Sequence, residues 1–152
     1  MQNSSYLLDT NHCSHIINGN SVLINKLDKE QDSTFCISST IAGELYYMVY
    51  KSRDKENNLA NISSFIKDVN LILVDTNIAN TYGELKAKLV SYFGPKDKNK
   101  QRGLTASSLG FKENDLWIAA AAIQKSLILL TSDGDFTRIK EVVDLKIENW
   151  IQ

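Results

Sequence analysis

The sequence has 152 residues, 43% of them hydrophobic and 23% charged, with a formal net charge of −1 at pH 7. A chain of that size and balance can bury a core of its own, which excludes an intrinsically disordered segment. The near-zero charge excludes a bulk field for nucleic acid or an anionic membrane, so any nucleic-acid contact must come from local patches. No apolar run is long enough to cross a bilayer, and the N-terminus lacks the basic start and apolar stretch of a signal peptide.

Residues 5–9 read as a buried strand, because the apolar run of Tyr6, Leu7 and Leu8 stops abruptly on Asp9. Residues 12–18 predict a short helix ended by Gly19, which tolerates a left-handed cap. Ser21 caps a second helical stretch with Val22, Leu23 and Leu27 on one face. Thr34 to Ser38 is a second strand, β-branched and aromatic. Ser39 and Thr40 cap a helix to about Lys51, with Glu44 in its early turns and Tyr46, Tyr47 and Tyr50 at spacings that favour core or dimer packing. Residues 52–58 read as a polar connection, Leu59 to Ile66 as a helix, and Leu71 to Val74 as a third strand.

Asp75 or Thr76 caps a long helix to about Phe93, and residues 94–110 are irregular. Asn114 caps a helix through Lys125, whose four central alanines allow close approach to a sheet. Leu127 to Thr131 is a fourth strand, residues 135–143 a short helix, and Leu145 to Trp150 a last strand. Strands alternating with helices predict one α/β domain over residues 1–152 with a central, mainly parallel sheet of about five strands. Cys13 and Cys36 lack metal-type spacing and read as buried free thiols in a reducing, cytoplasmic compartment.

Ligands of such sheets bind beyond the carboxyl ends of the strands, where the strand order reverses. Asp9, Glu44 and Asp133 fall at that edge, with Asp135 close by, while the side on which Asp115 emerges depends on the connection before it. Clustered carboxylates repel each other unless something neutralises them, and a hard divalent cation with its preference for oxygen ligands is the simplest candidate. No His or Cys cluster points to zinc. His12 and His15 read as surface or half-buried histidines. Lys96, Lys98, Lys100 and Arg102 form a basic run that is either a solvated loop or a phosphate-contacting segment.

Four blocks carry a resemblance: Tyr-Leu-Leu-Asp-Thr-Asn at 6–11, Ile-Ser-Ser-Thr-Ile-Ala-Gly-Glu-Leu at 37–45, Asn-Asp-Leu-Trp-Ile-Ala-Ala at 114–120 and Leu-Leu-Thr-Ser-Asp-Gly-Asp-Phe at 129–136. In this order they resemble the signature blocks of PIN-domain nucleases, and the closing Leu-Lys-Ile-Glu-Asn-Trp resembles the end of VapC-type toxins. The resemblance implies a three-layer α/β/α domain and an Mg²⁺- or Mn²⁺-dependent endoribonuclease. Its metal quartet would be Asp9, Glu44, Asp115 and Asp133, with Asp9 and Asp115 the main direct ligands. Thr131 or Ser132 would support the last acid, and Asn11 would orient Asp9. Asp133 is preferred over Asp135 as the fourth acid, because Asp135 suits the cap of the following helix. The resemblance also implies an RNA substrate, a cognate antitoxin that holds the enzyme inactive, and a homodimer. Two other readings compete with it: a catalytically silent PIN-fold module in a repressor complex, and a receiver-like phosphoacceptor switch. The acids do not group as such a switch requires.

Overall fold

The computed structural model describes residues 3–151. Ser5–Leu8 forms β1, whose Tyr6, Leu7 and Leu8 are all buried, as a strand covered on both faces requires. Helix α1 (Thr10–Ile17) begins two residues earlier than its apolar pattern suggests, because Asp9 itself is the N-cap. Helix α2 (Ser21–Lys29) is capped by Asn20 rather than Ser21, the Asn20 side chain accepting from the Leu23 N–H at 3.0 Å. Strand β2 (Thr34–Ser38) runs directly into α3 (Ser39–Tyr50). Ser38, the last strand residue, replaces Ser39 and Thr40 as the cap by accepting from the Ile41 N–H.

Most of the expected connection at 52–58 is helical, since Asp54 caps α4 (Lys55–Asp68) by accepting from the Asn57 N–H. Strand β3 spans only Asn70–Ile72. At its end the Ser39 hydroxyl donates to the carbonyl of Ile72, the last strand residue, at 3.3 Å and accepts from the Val74 N–H at 3.1 Å, which turns the chain away from the ladder. Asp75 caps α5 (Thr76–Phe93) as the sequence suggests. The next stretch contains a short helix, α6 (Lys98–Gln101), and a 3₁₀ turn at Ser107–Leu109. Helix α7 (Glu113–Gln124) has no side-chain cap, so Asn114 lies inside it instead of before it. Strand β4 (Ile128–Leu130), α8 (Asp135–Lys140) and a two-residue β5 (Ile147–Glu148) complete the fold, each shorter than its apolar run.

All four ladders are parallel and the strand order is β3-β2-β1-β4-β5. The chain steps outward from β1 to β3, then crosses back to the other side of β1. Right-handed crossovers in opposite directions place their helices on opposite faces of the sheet. Helices α1, α3 and α4 pack together, and α5, α7 and α8 form a second group, which gives the expected three layers. Leu7, Leu8, Ile37, Leu129 and Leu130 form the buried centre of the sheet. Ala119 to Ala122 are each at most 1% exposed, so small side chains let α7 lie tightly among its neighbours.

The segment entering α7 is clamped from α8. The Arg138 guanidinium donates to the carbonyls of Leu109 at 3.1 Å and Gly110 at 3.4 Å, and stacks on Phe111 and Phe93 at 4.2 and 4.9 Å. Gly110 has φ +82°, and a Cβ there would meet the Arg138 Nη1 at 3.3 Å. This turn therefore favours glycine for its backbone, and a Cβ there would crowd the guanidinium.

Candidate active site

The strand order reverses between β1 and β4, and the chain leaves β1 at Asp9 and β4 at Thr131. A cleft of about 350 Å³ opens there, lined by Asp9, Asn11, Glu44, Lys112, Asp115 and Asp133. The four carboxylates expected to converge thus share one cleft. Because β1, β2 and β4 are parallel, Asp9, the α3 residue Glu44 and Asp133 all emerge at the same sheet edge. The clamped segment before α7 delivers Asp115 to it.

Carboxylate oxygens of Asp115, Asp133 and Asp135 lie within 4.8 Å of one another. Asp9 and Glu44 stand outside that triplet but face the same cleft. Asp115 is 6% exposed, and its buried Oδ2 has no hydrogen-bond partner among the described residues. Burial first, and then the charge of Asp133, push the Asp115 carboxyl up to about 7, against a smaller opposing effect from Lys112. An unpartnered buried carboxylate oxygen beside two further acids is a donor set of hard oxygens, which fits a divalent cation of the Mg²⁺ or Mn²⁺ type.

The supporting bonds differ in part from the expected ones. Thr131 is buried, and its hydroxyl accepts from the Asp133 N–H at 3.0 Å, so it does support the last acid. Asp133 Oδ1 in turn accepts from the Asp135 N–H at 2.9 Å. Asp135 is therefore the first residue of α8 and not its cap, which leaves its carboxylate free to join the triplet. Asn11 does not hold Asp9. Its Nδ2 donates to the Ser132 hydroxyl at 3.0 Å and ties α1 to the loop after β4. Asp9 is held by His12, which is wholly buried instead of lying at the surface.

Three residues in or beside this cleft escape the sequence reading. Thr10 donates to Glu44 Oε1 at 2.9 Å, a contact between residues 34 positions apart. Lys112 lines the cleft as a lone cation. His12, read from the sequence as a surface or half-buried histidine, is fully buried and bound to Asp9. Lys96, Lys98, Lys100 and Arg102 are exposed and do not line the cleft. Tyr46 packs on the core as expected, whereas Tyr47 and Tyr50 are 67% and 61% exposed. Trp117 packs against the core and stacks on Tyr82, with centroids 3.8 Å apart.

A family model for the PIN domain matches residues 6–142, nearly the whole chain and all of the cleft. The chain belongs to the PIN domain family. This PIN domain is 32% identical over 147 residues to Ribonuclease VapC2 of Rickettsia felis, with 95% of this chain and 97% of the relative covered. It is 29% identical over 146 residues to the tRNA(fMet)-specific endonuclease VapC of Salmonella typhimurium, with 95% and 97% covered. Among solved structures, VapBC2 from Rickettsia felis bound to a promoter DNA fragment superposes with a TM-score of 0.76 at 32% identity, covering 97% of this chain and 99% of that one. DNA-bound VapBC from Salmonella typhimurium gives 0.77 at 26% identity with the same coverage. The parallel five-stranded sheet flanked by helices is the PIN fold.

Proposed function

We propose that this PIN domain is an endoribonuclease, the toxin of a toxin–antitoxin pair, that hydrolyses RNA phosphodiesters with Mg²⁺ or Mn²⁺. The observation that carries this is the gathering of Asp115, Asp133 and Asp135 at the switch point of the sheet, with one Asp115 oxygen buried and unpartnered. The ribonuclease names of its full-length relatives support the RNA substrate, and the VapBC complexes support a protein antitoxin.

Asp9, Asp115, Glu44 and Asp133 would hold the metal, with Asp135 adjoining. When bound there, a divalent ion would neutralise these acids, attract an anionic phosphodiester, lower the pKa of a bound water and stabilise charge on the phosphoryl oxygens. Thr10 turns the Glu44 carboxylate by binding one of its oxygens, which leaves the other for the ion or for a water on it. Lys112 is placed to pair with a phosphate oxygen. The exposed basic run at 96–102 gives the RNA backbone a second contact.

Tyr47 and Tyr50 on α3, Leu71 in β3 and Leu73 just after it expose apolar surface, which supplies contact area for an antitoxin peptide and for a second copy in a homodimer. Cys13 and Cys36 are free and buried, as suits a cytoplasmic protein. The test is cleavage of structured RNA with Mn²⁺ and with EDTA, beside Asp9→Asn. Cleavage is expected only for the parent protein with the ion. Cleavage in EDTA, or equal cleavage by Asp9→Asn, would overturn the mechanism.

A further inference from the structure

We infer that His12 is a positioning residue for the metal site: it locks Asp9 through Oδ1, so that only Oδ2 is offered to the ion. The inference rests on the metal-dependent reading above. His12 is fully buried on the first turn of α1. Its Nε2 accepts from the backbone N–H of Trp150 at 3.3 Å. An N–H can only donate, so Nε2 carries no proton and the imidazole is the neutral tautomer protonated at Nδ1. That Nδ1 lies 2.9 Å from Asp9 Oδ1, and the same oxygen accepts from the His12 backbone N–H at 2.8 Å. Two donors from one residue therefore saturate one carboxylate oxygen. The carboxylate is pinned in rotation, with its other oxygen left over.

The far end of this relay is held as firmly. Trp150 is 5% exposed, and its Nε1 donates to Glu148 Oε2 at 2.9 Å. Its ring meets Tyr6 and Phe35 edge-on, with centroids at 4.9 and 6.0 Å, and Lys26 Nζ lies 5.1 Å from the ring centroid. The backbone N–H that fixes the histidine tautomer thus belongs to a packed aromatic cluster at the end of the last strand. Partners that hold a ligating carboxylate in one orientation contribute to metal affinity without touching the metal.

Asparagine places its amide nitrogen where Nδ1 stands, whereas glutamine reaches toward the Nε2 position. The test is Mn²⁺ binding to the metal-free full chain, read from the paramagnetic resonance of free Mn²⁺, with thermal unfolding of each variant in EDTA. His12→Asn is expected to bind within about threefold of the parent and His12→Gln to bind roughly 10–100-fold more weakly, whichever of the two is thermally less stable. Glutamine binding like the parent, or asparagine weakened as far as glutamine, would overturn the inference.

Nitrogen-15 spectra of the parent supply a readout that needs no variant. His12 should be protonated at Nδ1 and bare at Nε2, and its Nδ1 resonance should shift when Mg²⁺ is added. The opposite tautomer, or no shift, would also overturn the inference. Asp115→Asn separates the two levels. A parent that takes up no Mn²⁺, or an Asp115→Asn variant that binds it as tightly, would overturn the metal reading itself. Loss in Asp115→Asn with parent-like binding in His12→Gln would overturn the positioning role alone.

Discussion

At Asp115 burial and a neighbouring charge hold a carboxyl at about 7, far above its ordinary 3.8. Between those two values the folded chain holds a proton that the unfolded chain has already released. Stability from this group is therefore fully present below the unfolded value and is lost as pH rises through about 7. Asp115→Asn removes that dependence. Without metal, the melting temperature of the variant relative to the parent should rise between about pH 5.5 and about pH 8 by a few degrees, on the order of 2–4 °C per kcal/mol. Calorimetry in EDTA at both pH values measures it, and an equal gap at both would show that Asp115 is not so perturbed. Saturating Mn²⁺ should reverse the order at the higher pH by stabilising the parent, by about 2.7 kcal/mol at a hundredfold excess over Kd. On the proposed function the same substitution takes away a metal ligand, so Asn here should gain stability without metal and lose cleavage.

At the scale of the element, α7 sets the geometry. Ala120 is wholly buried among alanines that let the helix lie close to its neighbours. Ala120→Leu should cost about 1–3 kcal/mol of stability by overpacking, measured by urea unfolding, and should lower cleavage by displacing Asp115. A variant of parental stability would mean that α7 has room to spare. Elements with long periodic patterns, such as α5, or with a continuous apolar run, such as β1, were legible in the sequence. Element ends were less so, because caps decide them: Asp9, Asn20, Ser38 and Asp54 each take a backbone N–H that the apolar pattern does not register. Asp9, Glu44 and Asp133 were legible because parallel strands deliver their ends to one edge, whereas Asp115 was placed by the family resemblance alone. The bonds between them were not legible. Thr10 meets Glu44, and Asn11 meets Ser132, across separations that only the folded sheet closes. His12 finds its second partner at Trp150, 138 positions away.

At the scale of the molecule, a net charge of −1 leaves RNA attraction to local features. Neutralising Lys96, Lys98, Lys100 and Arg102 together should weaken RNA binding and flatten its dependence on salt, by a slope of about 0.7 for each single-strand phosphate that the run would otherwise neutralise. Filter binding across a salt series checks this, and an unchanged slope would make the run a solvated surface. The Arg138 clamp gives this experiment its meaning. It grips the chain at Leu109 and Gly110, downstream of the basic run and upstream of Asp115. The clamp thus stands between the basic run and the carboxylate on the first turn of α7. On the proposed function, that run can change its charge, and with it its grip on RNA, while the clamp keeps its hold on the entry to α7. On the same proposal, recognition can diversify at a different pace from chemistry, with one guanidinium standing at the boundary between them.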